Sequence, residues 1–276
     1  MAAGDASTDL PWLFVSAQFT MLFRLIVSAA RAQIQMSRRN VEDLFPILTI
    51  PLTSVATLAI LQNSGREDLA GYALVASLLM SVGQMSFFVG SEILANEREG
   101  QTLELVVASP TVYYIPLLTR ITILTCAGIV GFLVTWILAR LVFGIGITVY
   151  HPLLLLATLL LAIFAGAATS LITSTVFCFG KTTRTYQNAI AGPLYLLGGV
   201  LVPVTYLPSF LQPLSRLIFF FWSADLLRDS LQPLPPENVI LRLGAIFALG
   251  AVGGTVGGIL FGRMLHHLRR EGTLGI

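Results

Sequence analysis

Six long apolar segments constrain this chain more than any other feature. A helix crosses a bilayer with about 20 apolar residues, and each segment approaches or exceeds that length. Charged residues make up only 11% of the 276 residues, compared with about 25% in soluble proteins. The sequence therefore predicts an all-α polytopic membrane protein with six transmembrane helices. The predicted spans cover residues 44–62, 70–90, 113–139, 152–179, 187–206 and 239–262.

The residues before the first span follow a different pattern. Apolar side chains recur there at spacings of three and four, and arginines accumulate toward the end of the stretch. This pattern is typical of an amphipathic helix on the membrane surface, and we predict such an interface helix over residues 10–40. A seventh span over residues 10–30 is the alternative, although it would place Gln18, Thr20 and Arg24 in lipid.

Basic residues are distributed unequally between the two sides of the predicted membrane. Six spans put both termini on one side, and eleven of the sixteen Lys and Arg residues fall there. Because cytoplasmic loops carry an excess of positive charge, we expect both termini in the cytoplasm. The spans leave no room for a further globular domain of ~100 residues, so residues 1–276 are expected to form a single transmembrane domain.

A short, dense group of charges lies between the second and third spans. Glu97, Arg98, Glu99 and Glu104 occur within eight residues of an otherwise lipophilic chain. Such charges are expected to face water or a protein partner, because burying them unpaired is costly. Gly100 permits a sharp turn at this point. We therefore predict a short helix and turn that contact a soluble partner, with a solvated loop as the alternative.

Residues 202–236 follow the fifth span on the predicted outer side, yet they are far from polar. Pro203, Pro208 and Pro213 divide the segment, and four consecutive aromatic residues follow at 219–222. We predict two short helices that dip into the outer leaflet as a reentrant segment, since irregular backbone is tolerated there when protein or water covers it. A surface hairpin held by an aromatic belt is the alternative.

Glycine recurs at every fourth position of the last span. Such a ridge lets another helix approach closely, and we predict that it packs within the bundle, with a dimer interface as the alternative. The ridge consists of Gly250, Gly254, Gly258 and Gly262, with Gly253 and Gly257 beside it.

The sequence contains no pattern of catalytic or metal-binding residues. His151, His266 and His267 lie at span ends without an acidic or thiol partner within helical reach. Residues 180–182 resemble the end of a nucleotide-binding loop, but that motif needs a glycine where the chain has Thr175. The spans also carry no charge at mid-depth, which disfavours an ion-coupled carrier. We therefore predict that this chain is not an enzyme and has no cofactor or metal of its own.

Several of these features occur together in one family. Six spans follow an interface helix, and two sequence stretches accompany them. The first is Glu97-Arg98-Glu99-Gly100 with Thr102, Leu103, Glu104 and Pro110, and the second is Val202-Pro203 with Tyr206-Leu207-Pro208. Together they closely resemble the permease (transmembrane) subunits of ABC-2 type ATP-binding-cassette exporters. The resemblance covers nearly the whole chain.

The resemblance implies a permease that forms the translocation pathway of an ATP-driven exporter in the plasma (inner) membrane of a bacterium. Two copies of a cytoplasmic ATP-binding-cassette ATPase would bind ATP and Mg²⁺, and a second permease, identical or a sister chain, would complete the pathway. Residues 92–110 are then expected to form the coupling helix region, which seats in a groove of the ATPase. The coupling residues are Glu97, Arg98, Glu99, Gly100, Thr102 and Glu104.

The substrate is less constrained. The spans are rich in aliphatic residues, which favours an amphiphilic drug, antibiotic or lipid as the cargo. A lipid-linked glycan and an ATP-independent carrier or channel are the alternatives. The outer segment is expected to act as the gate through which an amphiphile leaves. The predicted gate residues are Pro203, Tyr206, Pro208, Phe221 and Trp222.

Overall fold

The computed structural model describes residues 10–39, 45–66, 69–103, 113–146, 148–178 and 183–271, and all regular structure within them is helical. Side chains are not described at residues 10–19, 183–186, 188 and 271. The helices are α1 (Leu10–Arg39), α2 (Phe45–Asn63), α3 (Ala70–Glu99), α4 (Tyr114–Phe143), α5 (Pro152–Phe177), α6 (Thr183–Leu197), α7 (Gln212–Ser215), α8 (Phe219–Ser230) and α9 (Val239–Glu271).

Five of the described helices are long and apolar enough to cross a membrane, namely α2, α3, α4, α5 and α9. They correspond to five of the six predicted spans. The remaining segment, residues 187–206, overlaps α6, whose 15 residues begin at Thr183 and end at Leu197. A turn follows in which Gly199 has a φ of +66°. The sixth span therefore stays a prediction, as do the placement of α1 on the membrane surface and the reentrant path of the outer segment.

Helix α3 is the central helix of the bundle. In its most apolar window 72% of the residues are buried, compared with 22–50% in the other four long helices. It contacts α2, α4, α5 and α8. Its sequence explains this position, because small residues such as Ala73, Ser77 and Gly83 let neighbouring helices approach closely. Helices α5 and α9 form the most extensive helix pair beside it.

The middle of α3 is a π-helical turn, Gln84–Val89. A π turn disturbs the regular i→i−4 bonds, and two serines of α5 donate to carbonyl groups beside it. Ser170 Oγ lies 2.5 Å from the carbonyl oxygen of Ser86, and Ser174 Oγ lies 3.2 Å from that of Gly90. In both contacts the serine of α5 and its partner in α3 are separated by the same number of residues. The two contacts therefore fix the register of α3 against α5 through the turn.

Two apolar cores lie on either side of this π turn. One joins the first half of α3 to α8 and the first half of α5, with Phe219 and Phe220 at its centre. The other joins the second half of α3 to α4 and to the end of α9, and it includes Leu103. The bundle thus has two separately packed ends, and each end carries one of the predicted functional regions.

The outer segment forms short helices, as predicted. A 3₁₀ turn, Val204–Tyr206, is followed by α7 and α8. Proline explains the fragmentation, because it donates no backbone hydrogen bond and disfavours helix in the residue before it. The first two aromatic residues of α8 are buried, while Phe221 and Trp222 are half-buried.

Candidate functional site

The predicted coupling region begins where α3 ends. The amide of Thr102 donates to the carbonyl of Glu97 at 2.9 Å, and that of Gln101 donates to Arg98 at 3.1 Å. This pair of bonds is the Schellman pattern, in which the residue after the cap adopts a left-handed conformation. Here that residue is Gln101, with a φ of +55°, and Gly100 has a φ of −77°. The sharp turn expected at Gly100 is therefore present, but its left-handed residue is Gln101 and not the glycine.

Glu97 is mostly buried and is paired within the protein instead of facing a partner. It forms an ion pair with Arg120 of α4, and each side chain keeps only 12% of its surface exposed. The Tyr113 hydroxyl donates to both carboxylate oxygens of Glu97, at 2.6 and 2.7 Å. Arg120 Nε donates in turn to Gln33 Oε1 of α1 at 2.9 Å. The expectation that all charges of this stretch face water or a partner is wrong for Glu97.

We call Gln33, Glu97, Tyr113 and Arg120 the coupling cluster. A buried carboxylate and a buried guanidinium are tolerated only when they are paired and hydrogen-bonded, and here both conditions are met. The cluster joins three elements, since its members belong to α1, α3 and the start of α4. It therefore links the predicted interface helix to the end of the central helix.

The other predicted coupling residues surround this cluster. Arg98 is half-buried and donates to the carbonyl of Cys178 at 2.5 Å, which attaches α3 to the end of α5. Glu99, Gly100 and Thr102 are exposed, so these three can reach a partner. Glu104, like Pro110, lies outside the described residues. Within the described part of the region, the exposed residues are Asn96 and the turn itself, residues 99–102.

A second charged network lies in the outer segment. Arg242 of α9 bridges two carboxylates of α8, with Nη2 2.7 Å from Asp225 and Nη1 2.6 Å from Asp229. Burial raises the pKa of the Asp225 carboxyl, and this effect outweighs the attraction of Arg242, which lowers it. The network attaches α8 to the last helix of the bundle.

Arg228 attaches the same helix to the turn after α6. It donates to the carbonyls of Gly199 and Val200 at 2.7 and 3.0 Å. Its guanidinium carbon also lies 4.8 Å from the centroid of the Tyr72 ring of α3, in a cation–π contact. Burial lowers the pKa of Arg228. The outer segment is therefore held by polar contacts to α3, α9 and the α6 turn.

The predicted gate residues lie around this network. Tyr206 and Pro208 are exposed, and Pro203 is half-buried. Phe221 and Trp222 pack edge to face, with ring centroids 5.0 Å apart. Two cavities open between the outer segment and α3, and the walls of both include Pro203. These residues share one region, but no contact among them defines a closed gate.

Residues 23–231 of the chain match the family model of the ABC-2 type transporter. The chain belongs to this family. Such proteins are the transmembrane subunits of ABC transporters, lack the ATPase site, and associate with a partner that carries the ATP-binding cassette. A comparison with curated proteins finds no match.

The glycine ridge of this ABC-2 permease packs within the bundle, as predicted, but its closest contacts are shifted. A Cβ added at Gly257 would lie 2.7 Å from Leu171 Cβ, and one at Gly253 would overlap Thr169. Gly250 is also tight, at 2.9 Å from Ala165 Cα, whereas Gly254 and Gly258 have slightly more room. Nothing lies within 4 Å of a Cβ added at Gly262, so that residue is not part of the packed ridge.

Several residues of the permease were missed from sequence. Arg120 lies inside an apolar span, and a lone arginine there is a signal that a carboxylate should be sought nearby. Tyr113 and Gln33 carried no comparable signal, because tyrosine and glutamine are common at helix ends. Asp225, Asp229 and Arg242 stand 4 and 13 residues apart in sequence, and only the fold of α8 onto α9 brings them together.

Proposed function

We propose that this chain is the permease subunit of an ATP-driven exporter and that it forms the pathway for an amphiphilic drug, antibiotic or lipid-like molecule. Family membership supports the transport role. The observation that carries the finer proposal is the exposed turn at residues 99–102, directly attached to the buried coupling cluster. A partner that moves this turn also moves the most buried helix of the bundle.

Residues 92–110 act in this proposal as the coupling region for an ATPase subunit. Glu99 is the exposed acidic group of the described part, so it supplies the charge that a basic groove recognises. Glu97 has a different role, because its carboxylate is already occupied by Arg120 and Tyr113. It fixes the position of the turn relative to α1 and α4.

The path of the motion follows α3. The coupling cluster ties the cytoplasmic end of α3 to α1, so the turn, the interface helix and the central helix move together. Rigid-body movement of this unit, repeated in a second identical or sister permease and driven by two ATPase subunits, would open the pathway alternately to each side. ATP and Mg²⁺ would belong to the ATPase subunits and not to this chain.

The orientation in this proposal places both termini and residues 99–102 in the cytoplasm of a bacterium. The basic residues support it, since most of them lie on that side of the predicted topology. A single cysteine at Gln101 should react with a membrane-impermeant maleimide only after the cell is opened. Efficient labelling in intact cells would contradict this topology.

Coupling is tested by changing the exposed charge alone. In Glu99→Lys, binding to the ATPase encoded by a neighbouring reading frame should weaken by at least tenfold, because a charge reversal replaces attraction by repulsion at the interface. Thermal stability should stay unchanged, since Glu99 is exposed. Arg140→Glu is the matched control, because Arg140 is exposed at the opposite end of α4. Equal ATPase binding by both variants would refute the coupling assignment.

Export of a lipid-linked glycan is the second candidate within the same architecture. Transport by the purified permease in liposomes without ATPase would instead support a carrier or channel. The first assay is therefore ATP-dependent movement of a fluorescent lipid across proteoliposomes that contain the permease with its ATPase. Movement without ATP would contradict the proposed function.

A further inference from the structure

Two cavities in the outer half of the bundle meet at Tyr72 and Pro203. The larger one has a volume of about 450 Å³ and lies between α2, α3 and the chain at 201–206. Its walls are mostly apolar. The smaller one, of about 240 Å³, lies between the same chain segment and α8, and its walls include Asp225 and Asp229. Tyr72 and Pro203 line both cavities, so an apolar space adjoins a polar one.

Among the charged residues that line the polar cavity, which are Asp225, Arg228 and Asp229, the most exposed is Asp225. The side chain of Asp225 is 53% exposed and that of Asp229 is 27% exposed, whereas that of Arg242 is only 11% exposed. Arg242 Nη1 and Nη2 both contact carboxylates. The two Nη2 bonds of Arg228 go to backbone carbonyls. The Nε atoms of both arginines lack partners but are fully buried, so a ligand in the cavity cannot reach them.

These observations select the charge of the ligand. An anion would meet the exposed carboxylate of Asp225, whereas the Arg228 guanidinium already donates through Nη2 to two backbone carbonyls and lies against the Tyr72 ring. A cation would be attracted by the same carboxylate, and Phe221 in the wall offers an aromatic ring for a cation–π contact. The adjacent apolar space, which includes Met80 and Leu201, suits a hydrophobic body.

We propose that this pair of cavities binds a lipophilic cation, with its charge beside Asp225 and its apolar body in the groove between α2 and α3. The proposal rests on the proposed export function and deepens it, because it names the class of substrate. A ligand here lies against Tyr206 and Phe221 of the predicted gate. The site therefore belongs to the exit side of the pathway.

The test compares two probes of matched size and opposite charge, tetraphenylphosphonium and tetraphenylborate. Binding is measured on the purified permease in phosphatidylcholine nanodiscs, with empty nanodiscs to subtract partition into lipid. We expect saturable binding of the phosphonium and at least tenfold weaker binding to Asp225→Asn. Glu237→Gln is the matched control, because Glu237 is an exposed carboxylate of the same outer region that lines neither cavity, and its effect should be below threefold.

A second variant examines the apolar part of the site. Thr57 lines the groove, is exposed, and donates its hydroxyl only to the preceding turn of α2, at 3.0 Å from the carbonyl of Thr53. Thr57→Phe should therefore fold normally and fill the groove, and phosphonium binding should fall at least tenfold. Unchanged phosphonium binding to Asp225→Asn or to Thr57→Phe would overturn the proposal.

Binding of the borate distinguishes a cation site from an anion site. Saturable borate binding that competes with the phosphonium and is lost in Arg66→Gln would overturn the cation assignment, since Arg66 is a cationic residue that lines the groove. ATP-dependent export of a neutral lipid without phosphonium binding would remove this inference and leave the proposed function intact. Phosphonium binding by a permease that never associates with an ATPase would support this inference and contradict the proposed function.

Discussion

Glu97→Ala separates the structural role of the coupling cluster from docking of a partner. The substitution removes both oxygens that accept from Tyr113 and leaves Arg120 as a buried charge without its carboxylate. Loss of one partner from a buried ion pair costs about 3–5 kcal/mol. Because Arg120 keeps its bond to Gln33 and a 12% exposed surface, we expect the lower end of that range.

The expected loss of ~3 kcal/mol can be measured as a thermal shift. For a chain of this size 1 kcal/mol corresponds to roughly 2–4 °C, so the midpoint of thermal unfolding should fall by roughly 6–12 °C in detergent. Fluorescence-detected size exclusion after heating is a suitable assay. Glu99→Ala is the matched control, because Glu99 lies two residues away and is exposed, and its midpoint should not move.

A second substitution tests the ion pair itself. In the double variant Glu97→Ala with Arg120→Met no buried charge is left unpaired, so at least half of the lost stability should return. Equal midpoints for Glu97→Ala and Glu99→Ala would refute the argument, as would a double variant no more stable than Glu97→Ala. Because Glu97→Ala is expected to destabilise the fold, a loss of ATPase binding in this variant alone would not demonstrate docking.

Three further predictions concern the turn, the glycine ridge and the outer network. Gln101→Gly should stabilise the fold by about 1 kcal/mol, because glycine adopts a positive φ without steric cost, and thermal unfolding is again the measurement. Gly257→Ala should cost about 1–3 kcal/mol through overpacking, while Gly262→Ala should be neutral or stabilising, so the two variants should differ in folded yield after heating. Phosphonium binding should decrease as the pH falls through the raised pKa of Asp225, because protonation removes the attracting charge, and Asp225→Asn should abolish this pH dependence.

Much of the architecture could be predicted because a bilayer imposes a simple length rule on apolar helices. The five long helices were found this way, and the short pieces of the outer segment followed from its prolines. The extent of α3 could not be found by the same rule, since the helix continues nine residues beyond Gly90. Hydropathy marks where lipid ends, and a helix can extend further when its polar end is packed against protein.

The candidate site could be predicted only in part, because sequence shows that charges are present but not which of them pair. Glu97 and Glu99 look equivalent in the sequence, although one is buried and the other exposed. The difference depends on Arg120, which lies 23 residues away from Glu97. Similarly, the left-handed residue of the turn is Gln101 and not Gly100, because the helix continues one residue further than the glycine suggests.

The position of α3 gives the two functional regions a common physical basis. Glu97 lies near one end of this helix and Tyr72 near the other, and a helix of 30 residues extends about 45 Å. The π turn at Gln84–Val89 is the irregular part between them, and the contacts from Ser170 and Ser174 hold it in register. A displacement at the coupling turn must therefore either tilt the whole helix and move Tyr72, or change the π turn and break these two serine bonds. The first outcome alters the wall shared by the two outer cavities, because Tyr72 lines each of them.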